Sequence, residues 1–256
     1  MNIVIINSKG GASKSTTAYQ VASTYFLYKN EEVELFELDN QNKDSSNFKN
    51  SEIKSSQIQV DFDKQLNNTI RDLFLNQSKN KVVDVGGNQT TTQFISAINQ
   101  TKMYNLIDLF IIPISGGHQD VVNAKAVYDF ISKFEKKVVF CLSRSRHPHN
   151  SPRLKFQYQN FFKTFENSTY FVLQDSDVID LSRTFKKSVY ELANDGNEIE
   201  NVNSKLLKAF DDKNNDEIYQ YSQILEILED SKKYKETNID LAHQILDEVL
   251  SYVKFK

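Results

Sequence analysis

The chain begins MNIVIINSKGGASKSTT over residues 1–17, and this stretch decides how the rest of the sequence is interpreted. Residues 2–7 are apolar and largely β-branched, which is typical of a buried strand in a parallel sheet. A glycine-rich turn follows, and the residues from Ser15 onward favour a helix. Backbone N–H groups at such a strand–turn–helix junction converge on an anion at the helix N-terminus. The stretch therefore predicts a phosphate-binding loop.

The spacing of the lysines narrows the type of loop. The common pattern G-x-x-x-x-G-K-S/T fails at both glycines, because Ser8 and Ser13 occupy those positions. The variant with an early lysine, K-G-G-x-x-K-S/T, fits in full from Lys9 to Ser15. In phosphate-binding loops the second lysine neutralises phosphate charge, and the next hydroxyl holds Mg²⁺. Lys14 and Ser15 occupy those two positions.

Short apolar runs alternate with helix-length segments beyond this loop. Predicted strands cover residues 2–7, 33–38, 81–85, 106–114 and 137–142, with a weaker one at 170–173. Predicted helices cover residues 15–29, 63–77, 91–102, 118–134 and 152–165. This repetition predicts an α/β fold, in which a mostly parallel, twisted sheet is flanked by helices in three layers. Ligands bind such sheets beyond the carboxyl ends of the strands, where three glycine pairs occur.

The sequence changes character after Gly196, and no further strand is predicted there. Helices with one apolar stripe each are predicted over residues 202–210, 216–229 and 238–253. We therefore predict a domain over residues 1–196 and a C-terminal helical extension over residues 197–256 that packs on it. Two interpretations of the stripes stay open: packing on the edge of the sheet, or a partner or dimer surface. Residues 40–57 are polar and are predicted to form a loop.

Composition and charge exclude several classes of protein. The net charge of −3 argues against a protein that coats nucleic acid with its whole surface, but it is compatible with a local basic patch. Cys141 is the only cysteine, so an intrachain disulfide is excluded and a cysteine-built metal site is disfavoured. No apolar run approaches the roughly 18 residues that span a bilayer, and the N-terminus lacks the basic segment of a signal sequence. We expect a soluble, cytoplasmic protein without a membrane partner.

The early-lysine loop, with a strand before it and a helix after it, resembles the deviant Walker A loop of the ParA/MinD family of ATPases, most closely the ParA-type partition ATPases. The resemblance spans roughly residues 2–193 and implies a P-loop NTPase fold with ATP and Mg²⁺ as cofactors. It implies that Lys14 contacts the β- and γ-phosphates and that Ser15 ligates Mg²⁺. The implied phosphate cradle consists of Lys9, Gly10, Gly11, Ala12, Ser13, Lys14, Ser15 and Thr16.

Lys9 is the signature lysine in this resemblance. In the family that lysine reaches across a homodimer to the nucleotide of the other subunit and acts like an arginine finger. The resemblance therefore implies catalytic roles for Lys9 and Lys14, and a dimer that forms on ATP and separates after hydrolysis. Glycine often occupies the position of Ser13 in the family, so the serine is expected to crowd the phosphates, to adopt an uncommon φ angle or, instead, to add a hydroxyl donor.

Two later segments resemble the switch and Walker B motifs of the family. The sequence ELDNQ over residues 37–41 resembles the switch pattern D-x-D-P-Q of the family. Glu37 stands at the position of the first aspartate, and Asn40 stands at the position of the proline. The match implies that Asp39 is a catalytic residue that orders or activates the attacking water and that it belongs to the Mg²⁺ site, and a solvated turn is the alternative. Residues 81–87 form an apolar strand that ends in Asp84 and two glycines. The match implies that Asp84 holds Mg²⁺ through its water shell.

The segments that recognise adenine in the family are matched less closely by this sequence. Residues 171–177 resemble the closing segment of the family, whose loop encloses adenine, and they make Gln174 and Asp175 candidate nucleotide contacts. The family often has asparagine after the strand predicted at 137–142, where this chain has Ser143 followed by arginine. Ser143 is therefore the third candidate contact.

The resemblance implies an ATP hydrolase with slow turnover that dimerises on ATP and drives the partition of plasmid or chromosomal DNA. It also implies nonspecific DNA binding in the ATP state, association with the nucleoid and a ParB-like, centromere-binding adaptor. The densest basic stretch, residues 144–149 with Arg153 nearby, is the candidate DNA contact, and an exposed loop is the alternative. Two other functions stay open: positioning of other cargo or plasmid mobilisation without DNA binding, and nucleotide-dependent interaction with little turnover.

Overall fold

A computed structural model of the chain describes residues 1–38, 48–58, 66–76 and 79–251. Within these ranges seven strands form one sheet: β1 (Asn2–Ile5), β2 (Val33–Leu38), β3 (Lys54–Gln57), β4 (Asn80–Val85), β5 (Leu109–Ile114), β6 (Val138–Ser145) and β7 (Tyr170–Gln174). Their order is β3-β2-β4-β1-β5-β6-β7, and every neighbouring pair runs parallel. The predicted parallel α/β sheet is confirmed. Since β1 lies in the middle, the loop after it opens at the centre of the carboxyl edge.

Helices cover both faces of the sheet. They are α1 (Lys14–Thr17), α2 (Thr24–Tyr28), α3 (Leu66–Leu75), α4 (Gln89–Thr101), α5 (His118–Ile131), α6 (Pro152–Gln157), α7 (Gln159–Thr164), α8 (Asp177–Phe185), α9 (Val189–Asn194), α10 (Gly196–Asp211), α11 (Asn215–Tyr234) and α12 (Asp240–Ser251). π-Helical turns at Ala18–Ser23 and Lys235–Ile239 join α1 to α2 and α11 to α12. 3₁₀ turns at Met103–Leu106 and Ser132–Phe134 follow α4 and α5. None of the helices described here has the length and apolarity needed to cross a bilayer.

The sheet has a separate hydrophobic core on each face, because successive side chains of a strand point to opposite faces. Val4 of β1 is buried with residues of α3, α4, α5 and α7. Its neighbours Ile3 and Ile5 are buried on the other face with residues of the phosphate-loop helix, α8 and α12. This alternation produces the three layers that the sequence predicts.

The strand β3 lies where the sequence predicts a loop, and that part of the prediction is wrong. Residues 54–57 are polar and alternate between exposed and half-buried positions. β3 is the edge strand and pairs with β2, so its backbone is satisfied on one side without a large apolar surface of its own. Phe48 and Ile53, both buried, anchor the segment that leads into it.

Capping residues explain two helices, α8 and α9, that the sequence analysis does not predict. Ser176 begins α8, and its side chain accepts a hydrogen bond from Val178 N at 3.3 Å. Ser188 begins α9 with a capping box, in which its hydroxyl and Glu191 satisfy each other's backbone N–H groups. Both helices are short, so caps specify them more strongly than apolar periodicity does. The helix predicted over 152–165 is interrupted at Tyr158 and becomes α6 and α7.

The C-terminal helices contact the rest of the chain in two ways. α12 packs on a face of the sheet rather than along its edge, because Ala242 and Leu246 are buried in the same core as Ile3. α10 and α11 form a hairpin, whose residues Val202 and Leu228 are buried against α9. The apolar stripe of α12 is therefore covered by the sheet, whereas Leu207 and Phe210 of α10 are 66% and 54% exposed.

Polar contacts join α12 to the helix behind the phosphate loop. His243 is buried, its Nε2 lies 3.1 Å from Thr24 Oγ1, and burial lowers the pKa of its imidazole to about 4. Asp247 accepts hydrogen bonds from the hydroxyl of Tyr25 at 2.8 Å and from the ammonium group of Lys29 at 2.7 Å. These bonds fix α12 against the sequence that follows the loop.

Gln20, in the first π-helical turn, ties the phosphate-loop helix to α8 and α9. Its Nε2 donates to Ser182 Oγ on α8 at 2.9 Å, and its Oε1 accepts from Val189 N at the start of α9 at 2.9 Å. Gln20 is buried, so both bonds are shielded from water. One amide therefore connects three helical segments at the carboxyl edge of the sheet.

Candidate functional site

The loop between β1 and α1 is held at its start by a buried asparagine. Asn7 Nδ2 donates to Pro113 O on β5 at 2.7 Å, and Asn7 Oδ1 accepts from Lys9 N at 3.0 Å. Gly11 then adopts a φ of +73°, which few residues other than glycine tolerate. The turn is therefore set by a strand-end amide and a left-handed glycine.

Lys14 lies at the first position of α1, beneath the loop. Its Nζ donates to Lys9 O at 2.9 Å, so the ammonium group closes the loop from inside, and the residue is buried. The N-terminus of α1, which carries the partial positive charge of the helix dipole, begins at this same residue. A lysine ammonium group and a helix N-terminus are therefore combined in one loop, which is the arrangement that binds phosphate.

Ser13 has the uncommon backbone angle expected from its position. Its φ is +61° and its ψ is 29°, in the left-handed region. Its carbonyl accepts hydrogen bonds from Thr17 N at 2.9 Å and from Thr17 Oγ1 at 2.8 Å, and these bonds hold the strained residue in place. The predicted φ angle is confirmed.

We expect Ser13→Gly to stabilise the chain by up to about 1 kcal/mol, because glycine adopts a left-handed φ without the cost that a Cβ imposes. The matched variant Gly11→Ala should lower stability by roughly 1 kcal/mol, since no atom lies within 4 Å of its added Cβ and the φ of +73° is the only strain. Chemical denaturation measures both. If Ser13→Gly is no more stable than the wild type and Gly11→Ala is more stable than the wild type, the left-handed backbone angles given to these two residues are contradicted.

The segment after β4 presses directly on the phosphate loop. A Cβ on Gly87 would lie 3.2 Å from Gly10 N and 3.3 Å from Ser8 O, so only glycine fits without displacement. Asn88 N donates to Ser8 O at 2.5 Å, and Thr91 Oγ1 donates to Gly86 O at 2.7 Å. The phosphate loop and the segment that leads into α4 are therefore packed and hydrogen-bonded together.

Two buried carboxylates stand side by side near the loop. Glu37 of β2 and Asp84 of β4 are register neighbours, and both are buried. They line one small cavity together with Ser15. Hydroxyl and carboxylate oxygens suit a hard cation such as Mg²⁺, which also keeps water and phosphate ligands. The described ranges contain no group of three or more His, Cys, Asp or Glu side chains placed to hold a metal ion.

The predicted switch residue Asp39, with Asn40 and Gln41, lies outside the described residues. Phe48 is the first described residue after residues 39–47, and its ring stacks on Tyr19 with 3.5 Å between centroids. Tyr19 and Phe48 line the same cavity as Ser15 and the two carboxylates. Glu37 was predicted only as a variant motif position, and its pairing with Asp84 becomes visible once the strand register is known.

Lys9 forms an ion pair within its own chain. Its Nζ contacts Oδ1 of Asp120, which lies in the first turn of α5 and is buried, and Ser115 Oγ also donates to that carboxylate. Burial raises the pKa of Asp120, but the hydrogen bonds from Lys9 and Ser115 outweigh it and hold the pKa below its usual value. Lys9 is 38% exposed, so it can leave this partner without uncovering a core. The cross-subunit role of Lys9 stays a prediction.

A second cavity brings the other predicted nucleotide residues together. Its volume is about 280 Å³, and it is lined by Ser13, Thr16, Ser143, Arg144, Leu173, Gln174, Asp175, Ser176, Ile179, Asp180 and Arg183. Ser143 is buried, and its backbone carbonyl accepts from the hydroxyl of Tyr158 at 2.7 Å. Arg144 has a φ of +58°, because the ladder between β6 and β7 is irregular between residues 143 and 145. Ala12 is buried beneath this end of the loop, where its carbonyl lies 3.5 Å from Ser143 Oγ.

Arg183 is a candidate residue that the sequence analysis misses. It lines both the carboxylate cavity and the second cavity, and its guanidinium group lies 3.1 Å from Asp180 Oδ1. Its position depends on α8, a helix that the sequence does not predict. No sequence signal distinguishes it from the other surface arginines.

The basic stretch forms one wall of a wide crevice next to the second cavity. The crevice measures about 700 Å³ and is lined by Ser115, Gly116, Arg144, Arg146, His147, Arg153, Phe156, Gln157 and Asp175. Phe156 is 79% exposed. His149 faces away and stacks on Tyr170, with 5.0 Å between centroids, so it does not join His147 in a metal site. Three arginines thus surround an open surface beside the candidate nucleotide site.

Known proteins share this fold. The model of the family described as ATPase MipZ matches residues 1–131. Apo McdA from Cyanothece has a TM-score of 0.55 and 12% identity, with 75% of this chain and 92% of that chain covered. A complex of a Cyanothece McdA variant with ATP has a TM-score of 0.54 and 10% identity, with 93% of this chain and 96% of that chain covered. A third similar structure is the septum site-determining protein MinD from Pyrococcus horikoshii, complexed with Mg-ADP. It has a TM-score of 0.50 and 13% identity, with 73% of this chain and 86% of that chain covered. A search of curated protein sequences finds no match.

A parallel sheet with a lysine-bearing loop after its central strand has the fold of a P-loop NTPase. Identities of 10–13% to the solved structures show the fold alone. The family model covers more than half of the chain. The chain therefore belongs to the MipZ family of ATPases, within the ParA/MinD group.

Proposed function

We propose that this chain binds Mg²⁺–ATP, hydrolyses it slowly and dimerises in the ATP state. The observation that carries the proposal is the position of Lys14, which is buried at the N-terminus of α1 and donates to Lys9 O across the glycine-rich loop. The phosphate cradle would consist of the loop residues Lys9, Gly10, Gly11, Ala12, Ser13, Lys14, Ser15 and Thr16. Membership of an ATPase family supports this reading.

Mg²⁺ would be held by Ser15 directly and by Asp84 through water, since both line the same cavity. Bound there, the ion would neutralise charge on the phosphates of ATP. Asp39 would orient the attacking water, and Lys14 would bind the β- and γ-phosphates. Glu37, next to Asp84, would add negative charge to the same cation site. The base would occupy the second cavity, against Ser143, Gln174 and Asp175.

The dimer would form when Lys9 exchanges its partner. In the single chain Lys9 binds Asp120. In the ATP dimer it would instead contact the triphosphate held by the other subunit, where it stabilises charge that develops on transfer of the γ-phosphate. Two ammonium groups, one from each subunit, would then surround each triphosphate.

The finer function that we propose is ParA-type partition of plasmid or chromosomal DNA. The ATP dimer would bind DNA nonspecifically through the arginine-lined crevice and associate with the nucleoid, and a ParB-like adaptor would stimulate hydrolysis. The arginines Arg144, Arg146 and Arg153 support this reading, because phosphate contacts by Lys and Arg supply most nonspecific DNA affinity.

Positioning of cargo other than DNA, or plasmid mobilisation, is the second candidate function. The net charge of −3 favours it, because a chain without a basic excess is repelled by DNA at long range. A nucleotide-dependent interaction protein with little turnover is the third candidate, and strain at Ser13 beside the phosphates favours it.

Gel retardation on unrelated duplex DNA separates these functions. We expect salt-sensitive binding with ATP and none with ADP, and about a tenfold loss for Arg146→Ala/Arg153→Ala, which removes two phosphate contacts. Arg71→Ala/Lys125→Ala, on other helices, is the matched control and should bind as the wild type does. Absence of retardation at low salt would reject DNA partition and leave cargo positioning. If the chain binds ATP but releases phosphate no faster than a sample without protein, the result would instead support the nucleotide-dependent interaction protein.

A further inference from the structure

We propose that the C-terminal helices complete the base end of the nucleotide site, with Asn238 and Tyr234 as positioning residues that hold Gln174. This inference rests on the proposed function, because it assigns the 280 Å³ cavity to the purine base and ribose of ATP. It gives the C-terminal helices, which the family resemblance does not reach, a role in nucleotide affinity.

Gln174 lies at the edge of the sheet. Gln174 is the last residue of β7, and β7 is the outermost strand on its side. An edge strand has no further strand to bond its outward N–H and C=O groups. Those two groups need partners from another element if the end of β7 is to keep one conformation.

Side chains of the C-terminal helices supply those partners. Asn238 Oδ1 accepts from Gln174 N at 3.0 Å, and the hydroxyl of Tyr234 donates to Gln174 O at 2.6 Å. Asn238 Nδ2 also donates to Gln174 Oε1 at 3.4 Å. Both backbone groups and the side-chain amide of Gln174 are therefore bound by two residues of one helical segment.

Burial makes these bonds effective. Asn238 is 3% exposed and Tyr234 is 6% exposed, so water competes weakly for the same groups. The two residues are four positions apart, and a π-helical turn at Lys235–Ile239 follows Tyr234 and contains Asn238. Single π-turns within helices often occur at functional sites, because they re-aim side chains. Here the turn directs a tyrosine and an asparagine to the same residue.

The held segment forms the part of the cavity that lies away from the phosphate loop. Gln174, Asp175 and Ser176 follow one another along this wall, whereas Ser13 and Thr16 form the wall nearest the phosphates. Gln174 carries an amide whose Nε2 group can donate to the edge of a purine while its Oε1 accepts from Asn238. Loosening Gln174 should therefore weaken contacts to the base and leave contacts to the phosphates intact.

The test compares ATP with inorganic tripolyphosphate, both with Mg²⁺, by calorimetric titration of the full chain. For Asn238→Ala we expect the affinity for ATP to fall about tenfold, the size expected when one buried donor loses its partner. The affinity for tripolyphosphate should stay within about twofold, because that ligand has no base. Tyr234→Phe removes only a hydroxyl group and should act in the same direction. Tyr219→Phe, on an exposed tyrosine of α11, is the matched control.

The outcomes separate this inference from the proposed function. A wild-type chain that binds neither ligand overturns the proposed function. A wild-type chain that binds ATP, with variants that lose ATP and tripolyphosphate affinity equally or lose neither, overturns the positioning role alone. If Asn238→Ala fails to fold, Tyr234→Phe decides the result. If tripolyphosphate binds too weakly to measure, a raised KM for ATP with an unchanged kcat supports the inference, and a lowered kcat overturns it.

Discussion

Lys14→Ala is expected to weaken ATP binding at least about a hundredfold, because it removes a buried ammonium group from the phosphates, an interaction worth about 3 kcal/mol. Alanine leaves the amide groups of the loop in place, yet these alone cannot offset the charge of a triphosphate. The loss should appear equally for ATP and ADP, since Lys14 is expected to contact the β-phosphate that both carry. Isothermal titration with Mg²⁺ present measures it.

Folding must be separated from binding in this variant, since Lys14 Nζ also donates to Lys9 O and closes the loop. Thermal unfolding without nucleotide serves that purpose. Lys125→Ala removes an exposed ammonium group that pairs with Asp129 on α5, and it should bind ATP as the wild type does. A folded Lys14→Ala chain with wild-type affinity would place the phosphates elsewhere and reject the site.

Lys9→Ala is expected to keep ATP binding within about threefold and to lose the ATP dimer, which should weaken at least about thirtyfold when one member of a charge pair is truncated. Binding survives because Lys14 and the amides of the loop serve the subunit's own nucleotide, whereas Lys9 serves the nucleotide of the partner. Sedimentation of the chain with a slowly hydrolysed ATP analogue measures the dimer, and titration measures binding.

Asp120→Asn provides the complementary measurement. The amide keeps the shape of the side chain but no longer pairs with the charge of Lys9, so the lysine is released from its own chain. We expect the ATP dimer to form at about fivefold lower protein concentration, because the single-chain state loses a contact that competes with the dimer. Unchanged dimerisation in both variants would show that Lys9 does not cross between subunits.

The sequence predicts the loop and the sheet because both follow from local pattern. K-G-G-x-x-K-S/T sets the turn, and runs of β-branched residues such as 2–7 form buried parallel strands in any surroundings that cover both faces. The uncommon φ of Ser13 is also predictable, because a side chain stands at a position that favours glycine. These features need no knowledge of distant contacts.

Features that depend on tertiary contacts are not predictable in this way. β3 is polar, and it becomes a strand because β2 offers it a backbone edge. α8 and α9 depend on the caps Ser176 and Ser188, which resemble ordinary loop serines until the neighbouring helices are known. Two partners, Asp120 for Lys9 and Asn238 for Gln174, come from far along the chain. These pairs form because the fold brings distant elements together, and no spacing between residues in the sequence indicates which residues will meet.

The buried amide of Gln20 has a consequence for local unfolding. The amide of Gln20 is hydrogen-bonded to both Ser182 and Val189. If α8 or α9 detaches from the phosphate-loop helix, one of these buried polar groups therefore loses its hydrogen bond, which costs about 1–3 kcal/mol. Openings of this region then involve all three segments as one cooperative unit. A ligand that stabilises any one of them slows amide exchange in the other two, so Thr16 and Arg183, which line the second cavity from two of these segments, share a single opening equilibrium.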